Sequence, residues 1–310
     1  MRIGVIGAGA MGGLFGARLF LGGHTVVFIE VSKPTIEAIR SEGLQLIDDQ
    51  SSQRVWPEIG ESSSFQGPFD LLIVFTKGFH TAKAISDARH LVNASTWVLS
   101  VQNGLGNAEL ISEVVSPHRL IVGMTDFPAQ LRSPGNIYSQ GHGLVKIWSY
   151  TGVEVSQVRR IAEAFDNAGL ACTADPDVQM YIWEKLAFNV ALNSICAVSG
   201  LTVGGVALAK GGACLANAVV EEVASVARAV GVVVSTSRVL EAINHAFSHH
   251  NTHKPSMLQD IEAGRRTEND FIAGAIVMIG REREVAVPIT TSLYTLVGMK
   301  EQALRSDSLL

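Results

Sequence analysis

The sequence predicts an α/β fold, an N-terminal doubly wound parallel sheet followed by an all-α C-terminal domain. Three observations carry that prediction. In the first half, short β-rich runs alternate with helical stretches, the order of strand–helix–strand units. Several of the runs are continuously apolar, so both of their faces should be covered, as in a parallel sheet between helices. From about residue 177 the strand signals fade and helical periods dominate.

In chain order, the predicted strands are IGVIG at 3–7, TVVFIE at 25–30, DLLIVFT at 70–76, WVLSV at 97–101 and RLIVGMT at 119–125. Helices are predicted at roughly 10–22, 33–42, 79–91 and 105–114. Residues 136–150 read as a hairpin around Gly141 and Gly143, and a helix at 154–168 with a strand near 170–174 completes the half. Pro176 then breaks the pattern, which places the domain boundary near 175: an α/β domain over 1–175 and a helical domain over 176–310.

Composition narrows the function. With 47% apolar and 17% charged residues, the 310-residue chain can build large cores. A net charge of −5 with no basic block argues against nucleic acid as a partner. Cys172, Cys196 and Cys214 lie far apart without a CxxC spacing, which fits a reducing cytoplasm and neither a disulfide framework nor a metal site. No apolar run reaches transmembrane length, and the N-terminus lacks the pattern of a secretory signal. The apolar, Gly-rich run LTVGGVALAKGGACLANAVV at 201–220 suits close helix packing, either inside a core or between two copies in a homodimer.

The first strand runs directly into GAGAMG, so Gly7, Gly9 and Gly12 form GxGxxG at the head of a helix. That context is what a dinucleotide-binding (Rossmann-type) turn requires. Gly7 allows the tight turn, Gly9 lets the backbone approach a pyrophosphate, and Gly12 permits close helix–strand packing. Ala10 and Met11 open the helix, whose free N–H groups face the anion. Glu30 ends the second strand, 18 residues after Gly12, where an acidic side chain meets the ribose 2′-hydroxyl of NAD. An NAD(P)H cofactor is expected, with NADH favoured because Glu30 should repel a 2′-phosphate; Lys33 nearby argues the other way.

Two further segments follow the C-terminal ends of predicted parallel strands, where open α/β sheets bind ligands: Lys77 in TKGFHT, and Gln102, Asn103 and Gly104 in QNGLGN. A turn-forming Asn-Gly also accounts for Asn103. In the second half, EKLAFNVALNSICAV at 184–198 places Lys185, Asn189 and Asn193 four apart, one polar stripe on an otherwise apolar helix. Buried polar groups need partners, so the stripe is either a satisfied seam between helices or a face turned to a ligand.

Together these segments resemble the ketopantoate reductase family. The resemblance runs nearly end to end: GAGAMG, the lysine after DLLIVFT, NGLG, EKLAFNVALN, and PSMLQDIEAGRRTENDFIAG at 255–274. It implies reduction of a bulky 2-keto acid, ketopantoate first, to the (R)-2-hydroxy acid. It further implies Lys185 as the catalytic acid, with Asn189 and Asn193 binding substrate. Ser256 would bind the substrate carboxylate, Glu268 would hold the polar network, and Asn103 would lie near nicotinamide and substrate. Lys77 falls to the cofactor side. The chemistry agrees: negative charge builds on the carbonyl oxygen as hydride arrives, and an ammonium can stabilise that oxygen and donate the proton. No metal is required.

One position departs from the family, which often has asparagine where this chain has His253, three residues before Ser256. Relatives of the family reduce other branched or aromatic 2-keto acids with NADH, so an NAD-dependent D-2-hydroxyacid dehydrogenase is the alternative. A non-catalytic dinucleotide sensor would have no use for both Lys185 and Glu268.

Overall fold

The structure, a computed structural model, describes residues 1–49 and 51–307. The chain divides into two compact units. One comprises Met1–Gln102 and Asn107–Val178; the other comprises Asn103–Gly106 and the residues from Gln179 onward.

The first unit is built from β1 (Arg2–Ile6), α1 (Ala10–Leu21), β2 (Thr25–Ile29), α2 (Lys33–Glu42), β3 (Leu44–Ile47), β4 (Ser52–Val55), β5 (Glu58–Gly60) and β6 (Leu71–Val74). It continues with α3 (Thr81–Asp87), β7 (Trp97–Ser100), α4 (Asn107–Ser112), β8 (Leu120–Thr125), β9 (Gln130–Ser133), β10 (Asn136–Tyr138), β11 (Val145–Ser149), α5 (Ser156–Asn167) and β12 (Cys172–Ala174). Its main sheet has the order β12-β11-β8-β7-β6-β1-β2-β5. From β8 to β5 every pairing is parallel, and β11 joins β8 antiparallel. The strand order reverses between β1 and β6, the switch point at which such sheets open a crevice for ligands. The runs read as continuously apolar are buried on both faces: Val5, Phe28, Leu72 and Leu99 are all shielded. Phe15 of α1 packs edge-on against Phe75, Phe127 and Phe165, which anchors the helix on the sheet.

The structure corrects the expected hairpin at 136–150. β10 and β11 lie in different sheets: β10 pairs with β3 and β9, whereas β11 pairs with β8 and β12. The actual hairpin is β9–β10, turning at Gly135 with φ +76°. It belongs to a small sheet of order β4-β3-β10-β9. That sheet was not visible in the sequence because β4 (SQRV) and β9 (QLRS) are short, polar and largely exposed, without an apolar alternation to mark them. The helix expected at 79–91 is shorter, α3 flanked by single 3₁₀ turns at Gly78–His80 and Arg89–Leu91.

The second unit is helical: α6 (Val178–Ser199), α7 (Val203–Leu208), α8 (Gly212–Ala229), α9 (Thr236–His249), α10 (Ser256–Glu262), α11 (Ala273–Glu282) and α12 (Pro288–Asp307). Its core gathers Leu186, Val190 and Ile195 of α6, Val219 and Val223 of α8, Ile243 of α9, Ile276 of α11 and Val297 of α12. The Gly-rich run at 201–220 contributes Val203, Val206, Ala216 and Val220 to this core. No described helix is long and apolar enough to cross a membrane.

Candidate active site

The first unit carries the dinucleotide turn. Gly7 follows β1 with φ +98°, a conformation that L side chains rarely adopt, and its N–H donates to Ile29 O at 2.9 Å. A Cβ on Gly7 would press on the backbone of Phe75 and Thr76 at 3.2–3.3 Å, so the loops after β1 and β6 meet there. A Cβ on Gly12 would collide with Gly7 O, which explains the third glycine as a packing requirement. Gly9 differs: no atom lies within 4 Å of the direction its Cβ would take, and it caps α1 without a side-chain hydrogen bond. This open, uncapped N-terminus, with Ala10 and Met11 in its first turn, fits a pyrophosphate.

Glu30 stands at the edge of that turn. One of its carboxylate oxygens, Oε2, accepts from Ala8 N–H at 2.7 Å; the other, Oε1, accepts from Val31 N–H at 2.8 Å and Ser32 N–H at 2.9 Å. The carboxylate therefore ties the glycine loop to the start of α2. A carboxylate offers about four acceptor sites, so an acceptor position on Oε2 is still open to a ribose hydroxyl. Lys77 lies between β6 and the 3₁₀ turn at 78–80, half-buried.

Gln102 was expected only as part of a ligand-facing segment, yet its amide joins the strand ends of this unit. Its Nε2 donates to Thr76 O at 2.7 Å and Thr81 Oγ1 at 2.8 Å, and its Oε1 accepts from Ser100 Oγ at 3.0 Å. These bonds tie the ends of β6 and β7 to the start of α3 within the first unit.

The second unit carries the stripe. On α6, Lys185 and Asn189 are half-buried, while Asn193 is 5% exposed. Lys185 Nζ donates to Asn103 Oδ1 at 2.6 Å. Among the described residues, no protein hydrogen bond engages the side chains of Asn189, Asn193 or Ser256. Glu184, the neighbour of Lys185, is used structurally, accepting from Arg238 at 2.6 Å and from Ser235 N–H at 3.0 Å.

Asn103 is placed by its own short loop. Leu105 N–H donates to Phe271 O at 2.9 Å, and Gly104, with φ +84°, lies so close to Phe271 that a Cβ would meet its carbonyl oxygen. Phe271 in turn belongs to the turn of Glu268: Phe271 N–H and Ile272 N–H both donate to Glu268 O at 3.0 Å. The structure therefore links Lys185, Asn103 and the Glu268 turn through direct bonds. Glu268 itself is 8% exposed. Ser256 opens α10 and is exposed, with Pro255 before it. The histidines cluster near the end of α9: the His245 and His249 rings stack at 4.3 Å. Burial and the nearby His250 push the His253 imidazole below its usual pKa. Among the described residues, no three His, Cys, Asp or Glu side chains converge to hold a metal ion.

Comparisons with known proteins bear on the family of the chain. Residues 3–152 match the family model described as Ketopantoate reductase PanE/ApbA, and residues 177–301 match its C-terminal counterpart. The 2-dehydropantoate 2-reductase of Lactococcus lactis subsp. lactis is 30% identical, covering 99% of this chain and 100% of that protein. That of Pyrococcus horikoshii is 33% identical, over 97% of this chain and 98% of that protein. A solved structure of D-mandelate dehydrogenase with NADH and anilino(oxo)acetate superposes with a TM-score of 0.94 at 28% identity, covering 98% of this chain and 100% of that one. With both halves of the chain matched, the chain belongs to the ketopantoate reductase family of NAD(P)-dependent oxidoreductases.

Proposed function

We propose that this chain reduces 2-dehydropantoate, or a 2-keto acid of similar bulk, to the (R)-2-hydroxy acid, with NADH preferred over NADPH. The observation that carries the reading is the stripe of α6. It puts an ammonium, oriented by a 2.6 Å bond to Asn103, in line with two amides that no described protein group satisfies. A structural seam would have closed those bonds within the protein.

When bound, the nicotinamide supplies the hydride. Lys185 Nζ stabilises the negative charge growing on the carbonyl oxygen and donates the proton to it. An ammonium has three donors, and the bond to Asn103 uses one while fixing the direction of the head group. Asn189 and Asn193 hold the substrate's polar groups, and Ser256 binds its carboxylate. Glu268 orders the polar surroundings of the ammonium. Gly7, Gly9, Ala10, Met11, Gly12 and Lys77 hold the cofactor. Glu30 selects NADH on two grounds: its charge opposes a 2′-phosphate, and it already engages the Val31 and Ser32 N–H groups that an incoming phosphate would need. Burial pushes the Cys172 and Cys196 thiols up to about 12, so both stay protonated near neutral pH.

The likeness to D-mandelate dehydrogenase supports a second reading, an NADH-dependent dehydrogenase for aromatic 2-keto acids. The experiment that separates them is kcat/KM for ketopantoate, for 2-keto acids without its hydroxyl and for an aryl 2-keto acid, each with NADH and NADPH. The leading reading expects ketopantoate with NADH to be fastest. A faster aryl substrate would establish the second reading, and no turnover on any of them would leave a sensor.

A further inference from the structure

We infer that Glu301 is a positioning residue that acts on the reaction through Glu268. The inference rests on the role proposed for Glu268, and it arises from how α12 grips the turn that carries it. Glu301 Oε1 accepts from the backbone N–H of Thr267 at 2.8 Å, immediately before Glu268. On the other side, Asn269 Nδ2 donates to Tyr294 O at 2.9 Å. Tyr294 and Glu301 are seven residues apart, two turns along one face of α12. Between these grips, Asn269 N–H donates to Thr267 Oγ1 at 3.1 Å. Thr267, Glu268 and Asn269 are all buried, so their backbone has little solvent to fall back on.

The residue beside Glu301 does the corresponding job for the catalytic helix. Lys300 Nζ donates to Ala197 O at 2.9 Å, in the last turn of α6. A cation there also complements the negative end of the helix. One turn of α12 thus fixes two things at once, the end of the helix bearing Lys185, Asn189 and Asn193 and the turn bearing Glu268. Because Thr267 N–H needs an acceptor of the right reach, the length of the Glu301 side chain sets where Glu268 stands.

Three variants and one coupling test this. Glu301→Ala loses the acceptor, Glu301→Asp keeps the charge but draws it back, and Glu301→Gln keeps an oxygen at the same reach. A displacement of about 1 Å at a reacting group can cost on the order of a hundredfold. The inference expects kcat to fall about tenfold or more in Glu301→Ala and Glu301→Asp, with NADH affinity unchanged and Glu301→Gln near wild type. It also expects Glu301→Ala to cost less than about twofold in a Glu268→Gln background, because a residue acting through Glu268 has nothing left to position. Should Glu301→Ala fail to fold, the ordering of Asp below Gln decides the matter. Full kcat in folded Glu301→Asp, or equal losses in both backgrounds, overturns the inference. A fully active Glu268→Gln instead overturns the role given to Glu268 itself.

Discussion

Glu30 accepts three backbone hydrogen bonds, from Ala8, Val31 and Ser32, so the residue proposed to meet the ribose also fastens the glycine loop to the start of α2. Two losses should follow from Glu30→Ala. NADH binding should weaken by about 1.5–3 kcal/mol, the worth of a hydrogen bond to a charged group, and the gap to NADPH should narrow. Thermal stability should fall as well, because three N–H groups lose their acceptor. Titrations with both cofactors check this, and a wild type that binds NADPH ten times more tightly would end the argument. Ser256 is simpler: it is exposed at the start of α10 and makes no described side-chain bond. Ser256→Ala should raise KM for the keto acid more than it lowers kcat, since the contact exists before and during reaction. Equal losses in NADH and keto-acid binding would show a structural residue instead. The ligand role proposed for Glu30 came from its spacing after Gly12, and that proposed for Ser256 from the family resemblance. The protein-facing side of these residues was not legible, because backbone partners such as Ala8 N–H leave no mark in side-chain identity.

Among the elements, α6 shows what sequence pattern decides well. Its apolar circumference predicts burial, and Leu186, Ala187, Val190 and Ala191 are indeed almost fully shielded. The exception at every fourth residue marks the stripe, and a rule broken locally is a fair signal of function. The hairpin expected at 136–150 failed for the converse reason. Gly141 and Gly143 are turn residues, but partner choice is a non-local matter, and β10 finds β9 and β3 instead of β11. The loop Asn103–Gly106 lies between these extremes. Its NGLG pattern announces a turn, whereas its seat against Phe271 appears only in three dimensions. Gly104→Ala should therefore be costly. A positive φ costs a Cβ-bearing residue roughly 1–2 kcal/mol, and the collision with Phe271 O adds to that. Calorimetry should show a lower Tm and kinetics a lower kcat, since Asn103 moves with the loop. A variant of unchanged Tm and kcat would mean that the loop yields without disturbing Asn103.

Across the whole chain, the doubly wound sheet and the helical second half were both legible, since each depends on periodicities that a sequence displays directly. The strand reversal between β1 and β6 puts the glycine turn and the loop of Lys77 at the same edge of the sheet, where the proposed cofactor site lies. The proposed substrate residues lie in the second unit, and there the central claim is that Lys185 supplies the proton. The most direct measurement compares wild type with Lys185→Ala by single-turnover oxidation of NADH with ketopantoate, alongside thermal melts and cofactor titrations. The account predicts a folded variant that binds NADH normally and loses about 10²–10⁴-fold in rate from general acid catalysis, with further loss from the missing charge. A strongly destabilised variant with near-normal turnover would contradict it and return the stripe of α6 to a structural role.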